Sequence, residues 1–195
     1  MSAGQDSRSY FTAHRTDVHV EPPESVDDLE QMTLREAQAG AYWAVRAHFT
    51  ARGNPALVVM PTGSGKTAVM TLVAFGIVKD RLLVIAPSRI IIEQITEQFR
   101  TLSIAQRTGS ISEGTDCPKV HVVEHKLTKE KDWTALRDFD VVISTANCAA
   151  PRYKDVYDKP PGDLFDTLFL DEAHHWPAVT WSDLSESFQG VQIVG

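Results

Sequence analysis

Apolar and polar positions change rhythm along the chain near residue 33. Residues 1–30 are polar, carry Pro22-Pro23 and hold no sustained period. That pattern predicts a mobile polar leader with at most a short element around Val18 to Val20. From there Leu34, Ala37, Ala41, Ala44, Val45 and Phe49 fall at helical spacing. Thr33 with Glu36 reads as a capping box that opens this helix, and Gly53 with Pro55 marks its exit.

Beyond residue 55, short apolar runs alternate with longer helical stretches. The runs at 56–60, 82–86, 120–123, 140–144, 167–170 and 191–194 predict strands. Helices are predicted at 65–79 and 88–102, the second with Ile92, Ile95 and Phe99 on one face, and shorter ones near 132–137, 146–153 and 181–188. Strands that stay apolar throughout are buried on both faces. Alternation of such strands with helices predicts an α/β fold, a parallel sheet sandwiched by helices.

Composition narrows this little. The chain has 195 residues, 43% hydrophobic and 23% charged, which suits one soluble domain and excludes a coiled coil, collagen or disorder throughout. The longest apolar run, about a dozen residues at 67–78, is too short to span a bilayer. Cys117 and Cys148 form no CxxC, so neither a disulfide framework nor a zinc knuckle is indicated. A cytoplasmic location follows as the default, or the nucleus in a eukaryote. Net charge is −7, and residues 1–30 hold two basic groups against seven acidic ones, leaving the rest nearly neutral. Such a balance argues against coating nucleic acid by charge alone but leaves room for a local cleft.

Candidate chemistry sits in two segments. Met60-Pro61-Thr62-Gly63-Ser64-Gly65-Lys66-Thr67 follows a predicted buried strand and opens a long helix, the setting of a phosphate loop. Gly63 and Gly65 let backbone N–H groups turn inward, and the helix N-terminus adds positive potential. Lys66 supplies a cation for the β- and γ-phosphates, and the Thr67 hydroxyl can ligate Mg²⁺. The strict glycine-first pattern fails, because its first position is Met60. Leu168-Phe169-Leu170-Asp171-Glu172-Ala173-His174 ends an apolar strand in two acids. There Asp171 would hold Mg²⁺ and Glu172 would polarise the attacking water.

These two segments resemble motifs I and II of superfamily 2 helicases and translocases, the DEAD/DEAH class, over about residues 30–195. The resemblance implies the first RecA-like, P-loop NTPase domain of an ATP- and Mg²⁺-dependent motor. Pro87-Ser88-Arg89 resembles motif Ia, and Ser144-Thr145-Ala146-Asn147 occupies the place of the next nucleic-acid motif. Leu34-Arg35-x-x-Gln38 resembles the segment whose glutamine reads adenine, so Arg35 and Gln38 join Pro61 to Thr67 as nucleotide-binding candidates. His174 resembles the residue that couples the nucleotide site to a second motor domain. DEAHH with L-R-x-x-Q, and Glu21 where DEAD-box proteins place an aromatic residue, make the chain more similar to restriction-type DNA helicases than to DEAD-box RNA helicases. The resemblance therefore implies DNA ahead of RNA, catalytic roles for Lys66, Asp171 and Glu172, and a second RecA-like domain as partner. The sequence stops where motif III would begin, so a truncated domain with little turnover of its own is expected. Two other classes remain open: a nucleotide-holding interaction module without motor activity, and a small-molecule kinase, against which DEAH argues.

Overall fold

The computed structural model describes residues 9–21, 33–149, 158–173, 186–188 and 190–195. Its centre is one sheet of five parallel strands: β1 (Leu82–Ile85), β2 (Val120–Val122), β3 (Val141–Ser144), β4 (Thr167–Leu170) and β5 (Gln192–Val194). Their order is β2-β3-β1-β4-β5. Every residue of β1, β3 and β4 is buried, as their unbroken apolar runs require.

Alternation along the strands divides the core in two. Leu82, Val84, Val141, Ile143 and Phe169 join one cluster with residues of α2 (Glu36–Ala51), α3 (Lys66–Ile77) and α4 (Arg89–Thr101). Leu83, Ile85, Val142, Leu168 and Leu170 join the other with Trp133, Leu136, Leu164, Phe165 and Phe188. Period-2 side chains on a sheet between two helical layers give this split directly. The α/β sandwich expected from the sequence is the fold observed.

Four local expectations are corrected. Residues 56–60 make a single parallel bridge, Ala56 to Val194, rather than a full strand. Ala56 and Val58 turn their backbone groups to residues 193–195, while the side chains of Leu57 and Val59 stay 69% and 85% exposed. The helix after residue 33 starts at Glu36, not at Thr33. Arg35 is extended (φ −71°, ψ 148°), and its N–H donates to Gln38 Oε1 at 2.9 Å, so Gln38 rather than Glu36 closes the box. The helix expected at 132–137 begins earlier, as Glu130–Thr134 and then a 3₁₀ turn at Ala135–Asp138. Asp132 causes the shift by accepting the N–H groups of Thr128 and Lys129 at 3.1 and 3.0 Å.

The fourth correction concerns the leader. Residues 9–21 do not read as a mobile tail. Tyr10–Ala13 forms a short helix, α1, followed by a 3₁₀ turn at Arg15–Asp17 and an antiparallel bridge from Val18 to Ile111. Phe11 is fully buried, its ring edge-on to Phe75 at 5.4 Å. Polar neighbours made the segment look like a linker, yet Ser9, Thr12 and Arg15 donate to the carbonyls of Val78 and Lys79, just past the end of α3. The helix expected at 146–153 is described only as Ala146–Ala149, and that at 181–188 lies outside the described residues apart from 186–188.

Candidate nucleotide site and nucleic-acid face

Parallel strands bring their carboxyl ends to one edge, where α/β sheets take their ligands. Ile85 is the register partner of both Ser144 and Leu170. Three of the candidate segments therefore leave the sheet side by side: Pro87 to Arg89 after β1, Thr145 to Asn147 after β3, and Asp171-Glu172 after β4. Residues 56–58, which lead into the phosphate loop, lie one strand further out, beyond β5.

The phosphate loop is held by its carbonyls. Ser64 Oγ donates to Pro61 O at 2.6 Å, Arg35 Nη1 to Gly63 O at 3.1 Å, and Gln38 Nε2 to Ser64 O at 3.0 Å. Gly63 (φ 78°) and Gly65 (φ 86°) take the left-handed conformation that this turn demands. Gly65 caps α3, and the N–H groups of Lys66 and Thr67 in the first turn have no intrahelical acceptor. Such an N-terminus attracts anions.

Lys66 and the acidic pair meet. Lys66 Nζ lies 2.6 Å from Glu172 Oε1, both side chains being about one-third exposed. Glu172 holds φ 52°, in the left-handed region where a non-glycine residue is strained. Asp171 extends β4 by one bond, its N–H donating to Ile85 O at 2.9 Å. Burial pushes its carboxyl above the ordinary range; the charge of Glu172 adds to the rise and Lys66 opposes it. The burial has a visible source. Asp171 and Lys66 line a cavity of about 70 Å³ whose other walls include Val58, Met60, Val69, Val73 and Phe169.

The nucleic-acid candidates divide. Pro87, Ser88 and Arg89 are exposed at the start of α4, where Ser88 Oγ also accepts the N–H of Ile91 as N-cap. Asn147 is exposed and Thr145 half-buried. Ser144 is 0% exposed and donates to the carbonyl of Thr145, so it has no surface with which to touch a ligand. Arg89 and Thr145 line one cleft of about 510 Å³ between α4 and the ends of β2 and β3. That cleft also holds Glu93, which follows the motif Ia segment, and Glu97, Arg100 and Glu124, which the sequence did not single out. The charge series on α4 was a signal for Glu97 and Arg100, and Glu124 beyond β2 had none. His174 lies outside the described residues, as do His175, Trp176 and Trp181.

A family described as type III restriction enzyme, res subunit, matches residues 31–195. The chain belongs to that family. This res-subunit domain is also similar in fold to solved helicases, and family and fold together make it the first RecA-like domain of a superfamily 2 helicase. A hypothetical ATP-dependent RNA helicase from Sulfolobus tokodaii is 19% identical, with TM-score 0.53, 87% of this chain and 47% of that one covered. A DEAD box protein from Methanococcus jannaschii is 14% identical, with TM-score 0.52 and 85% and 48% covered. The UvsW helicase from bacteriophage T4 is 13% identical, with TM-score 0.57 and 94% and 57% covered. The res-subunit domain thus spans about half the length of these structures. No curated protein matches the sequence.

Proposed function

We propose that this domain is the ATP-binding and hydrolysing half of a nucleic-acid motor, completed by a second RecA-like domain. One observation carries the proposal: Lys66 meets the adjacent Asp171 and Glu172, more than a hundred residues away in sequence, at one sheet edge. The Lys66 ammonium would bind β- and γ-phosphate oxygens, and the N–H groups of Gly65, Lys66 and Thr67 at the start of α3 would share the remaining charge. Glu172 would accept the proton of the attacking water. Thr67 and Asp171 offer the hard oxygen donors that Mg²⁺ takes beside substrate phosphates, and the desolvated Asp171 carboxylate favours a nearby cation. That ion would neutralise charge between the phosphates. Arginines from the second domain would stabilise the transferred group, a contribution worth about 10³–10⁵ in rate in related NTPases.

Pro87, Ser88, Arg89, Thr145 and Asn147 would grip the strand, chiefly at its phosphates. We take DNA as that strand, on the motif resemblance to restriction-type helicases, in the cytoplasm or a eukaryotic nucleus. No described helix is long and apolar enough to cross a membrane. The second reading, a nucleotide-holding module without a motor cycle, draws on one observation: Arg89 shares its cleft with Glu93, Glu97 and Glu124, which repel phosphates.

ATP hydrolysis by the wild type, Lys66→Ala and Glu172→Gln, with and without single- and double-stranded DNA and RNA, tests the proposal. Weak turnover by this chain, raised by a second domain and abolished in both variants, is expected. Equal activity in all three proteins overturns the motor reading. Robust nucleic-acid-stimulated hydrolysis by the 195-residue chain alone overturns the need for the second domain.

A further inference from the structure

A trans peptide unit points its C=O and its N–H in opposite directions. Whatever holds the carbonyl of Ser64 therefore also aims the N–H of Gly65. Gln38 Nε2 holds that carbonyl at 3.0 Å, and the other end of the same amide accepts the N–H of Arg35 at 2.9 Å. Two partners fix the amide's orientation, and the side chain is only 7% exposed. The loop is moulded to it, since a Cβ on Gly65 would come within 2.2 Å of Gln38 Nε2. Gly65 opposes little to a flip of this unit; Ser64 is tied within the loop to Pro61 O, and Gln38 adds the anchor on the Ser64 carbonyl itself.

We propose that Gln38 is a positioning residue for the phosphate loop, setting affinity for a polyphosphate tail whatever base the tail carries. Gln38 turns the Ser64–Gly65 peptide so that its N–H faces away from α2, where an anion would be bound; Arg35 holds the Gly63 carbonyl of the preceding unit, whose N–H donates within the loop to Pro61 O at 3.2 Å. Its contribution to binding is then shared by ATP, GTP and base-free tripolyphosphate. This departs from the adenine contact that the family resemblance implies, and it rests on the phosphate-site reading above.

Calorimetric titration of the 195-residue chain with ATP, GTP and inorganic tripolyphosphate tests it, using wild type, Gln38→Met and Lys66→Ala. Methionine keeps the length of the side chain without charge or donor, and circular dichroism confirms the fold. Gln38→Met should weaken all three ligands by a similar factor, roughly tenfold for one lost hydrogen bond at a charged site. A loss confined to ATP makes Gln38 a base reader and overturns the proposal. Unchanged affinity for all three ligands leaves Gln38 a helix cap only and overturns it as well. Wild-type protein that binds none of them, or a Lys66→Ala variant that binds all three unchanged, removes the phosphate-site reading and this one with it.

Discussion

The two ends of α3 have the same backbone and opposite treatment. At Lys66 the first N–H groups face the loop without helical acceptors. At the far end the carbonyl of Val78 takes Arg15 Nη2 at 2.7 Å, and that of Lys79 takes Thr12 Oγ1 at 2.7 Å and Ser9 Oγ. Just beyond, the Asp166 carboxylate gathers the N–H groups of Lys79 (3.1 Å), Asp80 and Arg81 (3.0 Å). One end is sealed by side chains from distant parts of the chain; the other is left open. Buried polar groups cost free energy when unpaired, so the sealed end anchors the helix, and the open end is where the proposed nucleotide site would lie.

Breaking each end in turn should separate binding from stability. Lys66→Ala has the largest expected effect on function, a loss of about 100-fold or more in nucleotide turnover measured with the second domain present, at nearly unchanged Tm. Phe11→Ala acts on the sealed end. It should cost about 3–5 kcal/mol in chemical denaturation while leaving the Kd for tripolyphosphate as it was. A tail that did not dock would show no such loss. Asp166→Asn keeps the shape but removes the charge that holds three N–H groups, and should cost about 2 kcal/mol in the same measurement.

Asp132 provides the smallest and most specific check, away from both ends. The N–H groups of Thr128 and Lys129 hold its carboxyl below the usual carboxylate range. A depressed native pKa means stability that is present above the unfolded pKa and lost as pH falls through the native one. Asp132→Ala should therefore lower Tm slightly at pH 7, and thermal scans should show the gap closing on acidification.

Most of the sheet was legible because β1, β3 and β4 are buried on both faces and so carry unbroken apolar runs. The phosphate loop and the acidic pair were legible because their chemistry tolerates few residue types. What escaped has a common cause. Ser9, Thr12, Arg15 and Asp166 act on backbone groups that are near in space and 63 to 87 residues away in sequence, and no local pattern announces such a bond. The capping box slipped for a related reason: Arg35 reaches Gly63 across the fold, which keeps residue 35 extended and delays the helix. Ser144 was placed at the ligand face by its neighbours in the motif, but strand alternation turns it inward.

The contact between Lys66 and Glu172 has one last consequence. An ammonium group already held by a carboxylate behaves as if part of its appetite for anions were met from within the protein. A phosphate tail must outbid that internal counter-ion, at a cost of about 1 kcal/mol for a pair this accessible to water. In the proposed motor that exchange would also part Glu172 from the lysine as a nucleotide binds, coupling occupancy of the site to the position of the acid.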